Sequence, residues 1–219
     1  MKIIDRQSRT FRSPDLFLND LAIIHRLAVG AAHHRFEAHG DARLAIKSIE
    51  LAKSDGAHRQ SHDVKLNLHT IAKRKGVTTC FSAEAISSHG HDVVQVNMIF
   101  DVIPAVLVSF LRQSPAAAIM KDVRGTQEKG DGKNCLIYQP DDLDSILDGE
   151  RGDHIPALRL IDLGLGIARK EGLPTAFSTI EANFRSFIDP KQPVYITWTT
   201  DDAHLHFIQN HKNAASVSF

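Results

Sequence analysis

Apolar positions along this chain switch between two rhythms. Leu16, Leu18, Leu21, Ile24, Leu27 and Ala28 recur at about 3.6 residues, the period of one helix face. Ser13-Pro14-Asp15 precedes them with a cap, a first-turn proline and an acid, so a helix is expected here, ending or loosening at Gly30. Leu44, Ile46, Ile49 and Leu51 follow Asp41 and predict a second helix, closed by Gly56. Between the two, residues 33–40 read as a loop or short helix. Val64, Leu66, Leu68 and Ile71 predict a strand running into a short helix, and residues 77–81 a short strand. Residues 92–100 and 103–111 are nearly continuous apolar runs, the kind that lie in the centre of a sheet, with Asp101 and Pro104 at the turn between them.

Residues 121–134 are the most loop-like stretch, and 135–138 a short strand or the start of a helix. Pro140-Asp141-Asp142 caps a helix through Leu147. Residues 155–169 fit another helix, weakened by Gly164 and Gly166 and broken by Gly172-Leu173-Pro174. Ser178 with Glu181 three residues on forms a capping box and predicts a helix through Ile188. The end reads as a hairpin: residues 194–198, a turn at Asp201-Asp202, and a return over 204–208. These elements imply α/β or α+β, a single domain over residues 1–219 with a helical part (1–60) and a sheet-containing part (61–219). A central mixed sheet flanked by helices is expected.

Charge narrows the partners. Lys plus Arg and Asp plus Glu number 26 each in 219 residues, a net charge of zero. General nucleic-acid binding and a polybasic membrane anchor are therefore not expected. No apolar run approaches the roughly 20 residues needed to span a bilayer. Two cysteines, Cys80 and Cys135, make no disulfide framework, which places the chain in a reduced cytoplasm. The first ten residues lack the apolar core of a secretory signal. Export as an effector by another route stays open.

Thirteen histidines are the unusual count. Those nearest to chemistry are His89 and His91, before the best strand, and His204 and His206, which share a face if they lie on a strand. Cys135 follows the glycine-rich Gly130-Asp131-Gly132-Lys133-Asn134. Glycines there permit close backbone approach to a substrate, and a thiolate needs a helix N-terminus or a histidine beside it. Cys135 is thus the candidate nucleophile, His91 the candidate base, and Asp101 the assigned orienter, with Asp92 and Glu84 as alternatives. Cys80 reads as a core residue. No HExxH, Walker loop or complete dinucleotide fingerprint is present, and no cofactor is indicated. Lys73-Arg74-Lys75, the densest basic cluster, reads as a solvated helix end.

The order of these features resembles the YopJ-type bacterial effector acetyltransferases, with a cysteine-protease-like fold. Gly90-His91-Asp92-Val93-Val94 looks like that family's histidine strand, and Val106-Leu107-Val108-Ser109-Phe110 like its next strand. Gln127 with Asn134-Cys135-Leu136-Ile137-Tyr138 looks like its cysteine segment. Asp131-Gly132-Lys133-Asn134-Cys135-Leu136 is also similar to the cysteine motif of OTU-type deubiquitinases, where His204 or His206 would be the base. Either resemblance implies a thiol enzyme, an acyl or acetyl transferase or an amide hydrolase acting on a protein. The alternatives are a non-catalytic interaction protein and a histidine-metal protein.

Overall fold

Helix α1 (Leu16–Arg35) forms on a stripe of Leu18, Leu21, Ile24, Ala28 and Ala32, every one of them buried. It continues through Gly30, which faces open space, and ends on His33, His34 and Arg35, cations suited to the negative end of a helix. The computed structural model describes residues 16–36, 42–104, 107, 133–138, 154–173, 178–199 and 201–219. Contacts divide the chain into two compact units, residues 1–110 with 177–180, and residues 111–176 with 181–219.

In the first unit, β1 (Arg43–Arg74) and β2 (Val77–Ile103) form one long antiparallel hairpin. Lys75 and Gly76 join them with φ of 50° and 82°, the positive values that a two-residue turn of this hand needs at both positions. The hairpin does not run straight. While β1 advances from Asp55 to Asp63, eight residues, its partner advances from Ser88 to Asp92, four residues. A longer track on one side is what a bend within the sheet requires, with β1 on the outside.

The two halves of β2 consequently meet. The Phe81 and Phe100 rings stack at 4.9 Å, and the Cys80 thiol hydrogen-bonds the Asp101 carboxylate. Burial falls on Phe81, Ala83, Ala85 and Ser87 before the bend, and on Val94, Val96, Met98 and Phe100 after it. That change from odd to even positions keeps one face inward as the strand reverses. Helix α1 covers this face: His25 stacks on Phe100 at 6.1 Å, and Phe36 tilts against Phe81 at 5.1 Å. At the bend, a Cβ on Gly56 would collide with the Val93 side chain. Beyond the hairpin, Lys53 donates its backbone N–H to the Ser178 carbonyl.

The second unit carries β3 (Lys133–Tyr138), α2 (Ala157–Lys170), β4 (Thr179–Phe184) from Glu181 onward, β5 (Val194–Thr199), β6 (Asp202–Gln209) and β7 (Lys212–Ser218). From Glu181 onward the strands pair antiparallel in the order β4-β7-β6-β5-β3. Val194, Ile196 and Trp198 on β5 and Ala203, Leu205 and Phe207 on β6 are buried, alternating with half-buried residues. Helix α2 packs Leu158, Ile161, Leu165 and Ala168 inward, and Gly164 lies against Phe219 and Val217 of the β7 end. It stops in a Schellman arrangement, Leu173 N–H to Ala168 O at 2.9 Å and Gly172 N–H to Arg169 O at 3.3 Å, with Gly172 at φ 64°.

The chain is α+β, and several expectations change. Every described strand pairing is antiparallel, and the sheet dominates; it is not a mixed sheet flanked by helices. The helix expected after Asp41 is the start of β1. A register shift between Ile46 and Ser48 inserts one residue, so the inward positions Ile46, Ile49 and Leu51 are spaced like a helix face. The helix expected after Ser178 is β4, where exposed Thr179 and Glu181 alternate with buried Ile180 and Ala182. Residues 135–138 form a strand. The expected hairpin of β5 and β6 is present, and β7, which was not anticipated, returns after Asn210 and His211, both at positive φ. The helix expected from Pro140 lies outside the described residues, as does the run at 106–110 apart from half-exposed Leu107.

Candidate functional site

The proposed thiol site distributes over both units. Cys135 lies on β3 in the second unit, paired with Thr197 and half-buried. His91 and Asp101 lie on β2 in the first. His91 is exposed, its Nδ1 3.4 Å from the Gly56 carbonyl oxygen. Asp101 is engaged on the outer side of the hairpin, 3.7 Å from Lys47 Nζ and against Cys80. Cys80 is half-buried. Burial raises its thiol pKa, the Asp101 charge and hydrogen bond raise it further, and Lys47 opposes them, so Cys80 stays a thiol.

A different set of side chains is brought together on the second unit. Cross-strand pairing carries one row from Cys135 through Thr197, His206 and Ser216 to Asn183. The neighbouring row runs from His204 through Ser218 to Glu181. Residues paired in register share a face, so these lie opposite the apolar side of Trp198, Leu205 and Val217. The face is polar because β6 alternates His204 and His206 with Leu205 and Phe207.

Its contacts are specific. Ser218 Oγ lies 2.6 Å from His204 Nδ1, short for a hydroxyl–imidazole bond. The hydroxyl donates when His204 carries its proton on Nε2. The Asn213 amide donates to His206 Nδ1 at 3.0 Å, which assigns His206 the same tautomer. The two imidazoles tilt against each other with centroids 4.5 Å apart. Asn183 Nδ2 donates to Glu181 Oε1 at 3.2 Å, steadying the carboxylate next to Ser218. All except exposed Glu181 and buried Ser216 are half-buried, reachable yet laterally held.

That His204 and His206 share a strand face was readable from their spacing. Ser218, Asn213, Glu181 and Asn183 were not found. Glu181 and Asn183 fall where the capping box predicts a helix, and Ser218 and Asn213 belong to β7, for which no strand is expected. The available signal was the alternation of apolar Ile180, Ala182 and Phe184 with Glu181 and Asn183. Among the described residues no group of three or more His, Cys, Asp or Glu is disposed to hold a metal ion, and His89 lies among those whose side chains are not described. No helix among the described residues is long and apolar enough to cross a membrane.

No protein-family model and no curated protein sequence matches this chain. Solved structures do. The 12:0-ACP thioesterase from Umbellularia californica is similar over 99% of this chain and 94% of its own, at 10% identity and a TM-score of 0.54. An acyl-ACP thioesterase from Bacteroides thetaiotaomicron is similar over 90% of this chain and 87% of its own, at 10% identity and a TM-score of 0.50. At such identities the likeness is one of fold, a hotdog-like α+β arrangement of helix on antiparallel sheet. It overturns the resemblance to YopJ-type acetyltransferases and the thiol acyltransferase or amide hydrolase that resemblance implied. The order histidine, apolar strands, cysteine was met by a chain whose strands pair differently, and short motifs in sequence order carry no pairing information.

Proposed function

We propose that this chain hydrolyses thioesters of fatty acids. The observation that carries the reading is Ser218 Oγ at 2.6 Å from His204 Nδ1, on the polar sheet face of a fold shared along nearly its whole length with acyl-ACP thioesterases. A serine hydroxyl is a weak nucleophile until a base within hydrogen-bond reach takes its proton, and a neutral imidazole nitrogen is suited to that near pH 7. Attack of Ser218 Oγ on the thioester carbonyl carbon passes its proton to His204 Nδ1. Collapse of the tetrahedral intermediate breaks the C–S bond, and the proton leaves with the sulfur as free thiol. A water molecule then repeats the sequence on the acyl-serine, releasing the fatty acid and restoring Ser218. His206, fixed by Asn213, packs beside His204 and holds its ring in position.

The test is thiol release from acyl carrier protein and coenzyme A thioesters of short to long acyl chains, with wild type, His204→Gln and Ser218→Ala. Turnover by the wild type, lost in both variants at unchanged thermal stability, supports the reading. Absence of thiol release from every thioester tried overturns it. Full activity in Ser218→Ala with loss in His204→Gln would make water, not Ser218, the nucleophile.

A further inference from the structure

We propose that the tip of the β1–β2 hairpin docks the acidic carrier protein that presents the acyl thioester. Residues 64–77 contain Lys65, Lys73, Arg74 and Lys75 and no Asp or Glu, in a chain whose charges balance only as a whole. Lys73, Arg74 and Lys75 are all exposed around the turn at Lys75 and Gly76, and among the described residues none forms an ion pair. The Glu84 carboxylate, on the adjoining strand, is already 3.7 Å from His69. Beside the cations stand Ile71, 53% exposed, and Val77, 63% exposed. Two bare aliphatic side chains ringed by three cations match a partner with a small apolar patch among carboxylates.

A carrier protein fits this chemistry better than the other anionic surfaces. Three adjacent cations fall below the four to eight typical of a cluster that holds an anionic lipid headgroup layer, and the tip has no aromatic side chain to seat at a bilayer. Nucleic-acid binding would draw on a basic excess, which a net charge of zero does not supply. The choice of an acyl-loaded partner rests on the thioesterase reading; the cationic tip itself does not.

The test reverses the charges together, Lys73→Glu, Arg74→Glu and Lys75→Glu, in the full chain. Binding of a fluorescently labelled acidic carrier protein is measured by anisotropy at low and physiological salt, beside hydrolysis of the carrier-bound and coenzyme A forms of one thioester. The expected result is salt-sensitive binding weakened roughly tenfold or more by the reversal. KM for the carrier-bound thioester should rise while turnover of the coenzyme A form is unchanged. Equal binding by wild type and variant, no binding by wild type, or wild-type binding to phosphatidylserine vesicles but not to the carrier overturns the docking surface. If binding falls as expected but neither thioester is hydrolysed, the docking surface stands and the hydrolase reading fails. If both are hydrolysed and the reversal changes neither, the hydrolase reading stands alone.

Discussion

Phe81 and Phe100 stack face to face, 4.9 Å between centroids and 8° between planes, although both belong to β2. Nineteen residues of straight strand would hold them roughly 60 Å apart. The contact is therefore the closure of a bend, and His25 of α1 and Phe36 just past its end join it. Phe81→Ala should lower unfolding free energy by about 3–5 kcal/mol, and Phe81→Leu by clearly less, in urea titrations followed by circular dichroism. Equal, small losses in both would mean the stack does not hold the bend.

Gly56 sits where the outer strand rounds that bend, and the obstacle to a side chain there is the Val93 side chain. Gly56→Ala should cost about 1–3 kcal/mol through crowding. Adding Val93→Ala should recover most of it, because the obstructing atom belongs to the side chain. A thermal-denaturation double-mutant cycle reads the coupling, and strictly additive losses would contradict it.

Burial first, and the neighbouring Arg26 second, lower the His25 pKa from 6.5 to about 4. Above pH 6.5 His25 is neutral folded and unfolded, and contributes no pH dependence. Between about 6.5 and 4 the unfolded chain binds a proton that the folded chain refuses, so stability falls as pH falls through that window and levels below it. The full span is of order 3 kcal/mol. His25→Phe should flatten this part of the stability–pH curve; an unchanged slope would assign it to other groups.

Gly30 and Gly166 lie inside helices, are exposed, and have nothing within 4 Å of where a Cβ would stand. Each substitution by Ala should raise stability by about 0.5–1 kcal/mol. Gly164 differs, since its Cβ would come 3.1 Å from the Phe219 ring, so Gly164→Val should destabilise. Melting temperatures of the three variants check the contrast.

His204→Gln should reduce kcat for thioester hydrolysis by about 10²–10⁴-fold, the usual contribution of a general base. Asn213→Ala, acting through His206, should have a smaller effect with KM unchanged. A His204→Gln enzyme with wild-type kcat would remove the imidazole from the chemistry.

Much of this was legible in the chain and some was not, for reasons that can be named. Helix α1 and α2 were found because Leu18, Leu21, Ile24 and then Leu158, Ile161, Leu165 keep a regular period over several turns. The hairpin of β5 and β6 was found because Tyr195, Thr197 and Trp198 favour strands and Asp201-Asp202 favours a turn. The start of β1 was misread because one inserted residue near Lys47 turned a two-residue rhythm into a helical one. The candidate site was only half visible. His204 and His206 announce themselves by spacing, but Ser218 and Glu181 reach them by strand pairing across β7 and β4, and pairing between distant segments leaves no local trace. Cys135, attractive for its glycine-rich approach, lies two strands from His206, and its pairing with Thr197 could not be read from the motif around it.

The unequal lengths of the two strands around the bend carry a kinetic consequence. Starting at Lys75 and Gly76, the hairpin can zip outward by closing small loops, up to Asp63 opposite Ser88. There two successive steps each set four residues of β1 against two of β2, through Arg59 opposite Gly90, before Asp55 finds Asp92, and the ladder as far as Arg43 and Ile103 must wait. We expect pulse-labelled hydrogen exchange to protect amides near Leu66 and Ala85 before those near Ile49 and Met98; the opposite order would place nucleation elsewhere. A chain built this way would pass through a half-zipped ribbon with Phe81 already placed and Phe100 still free, and that intermediate would expose an apolar face until its own second half arrived to cover it.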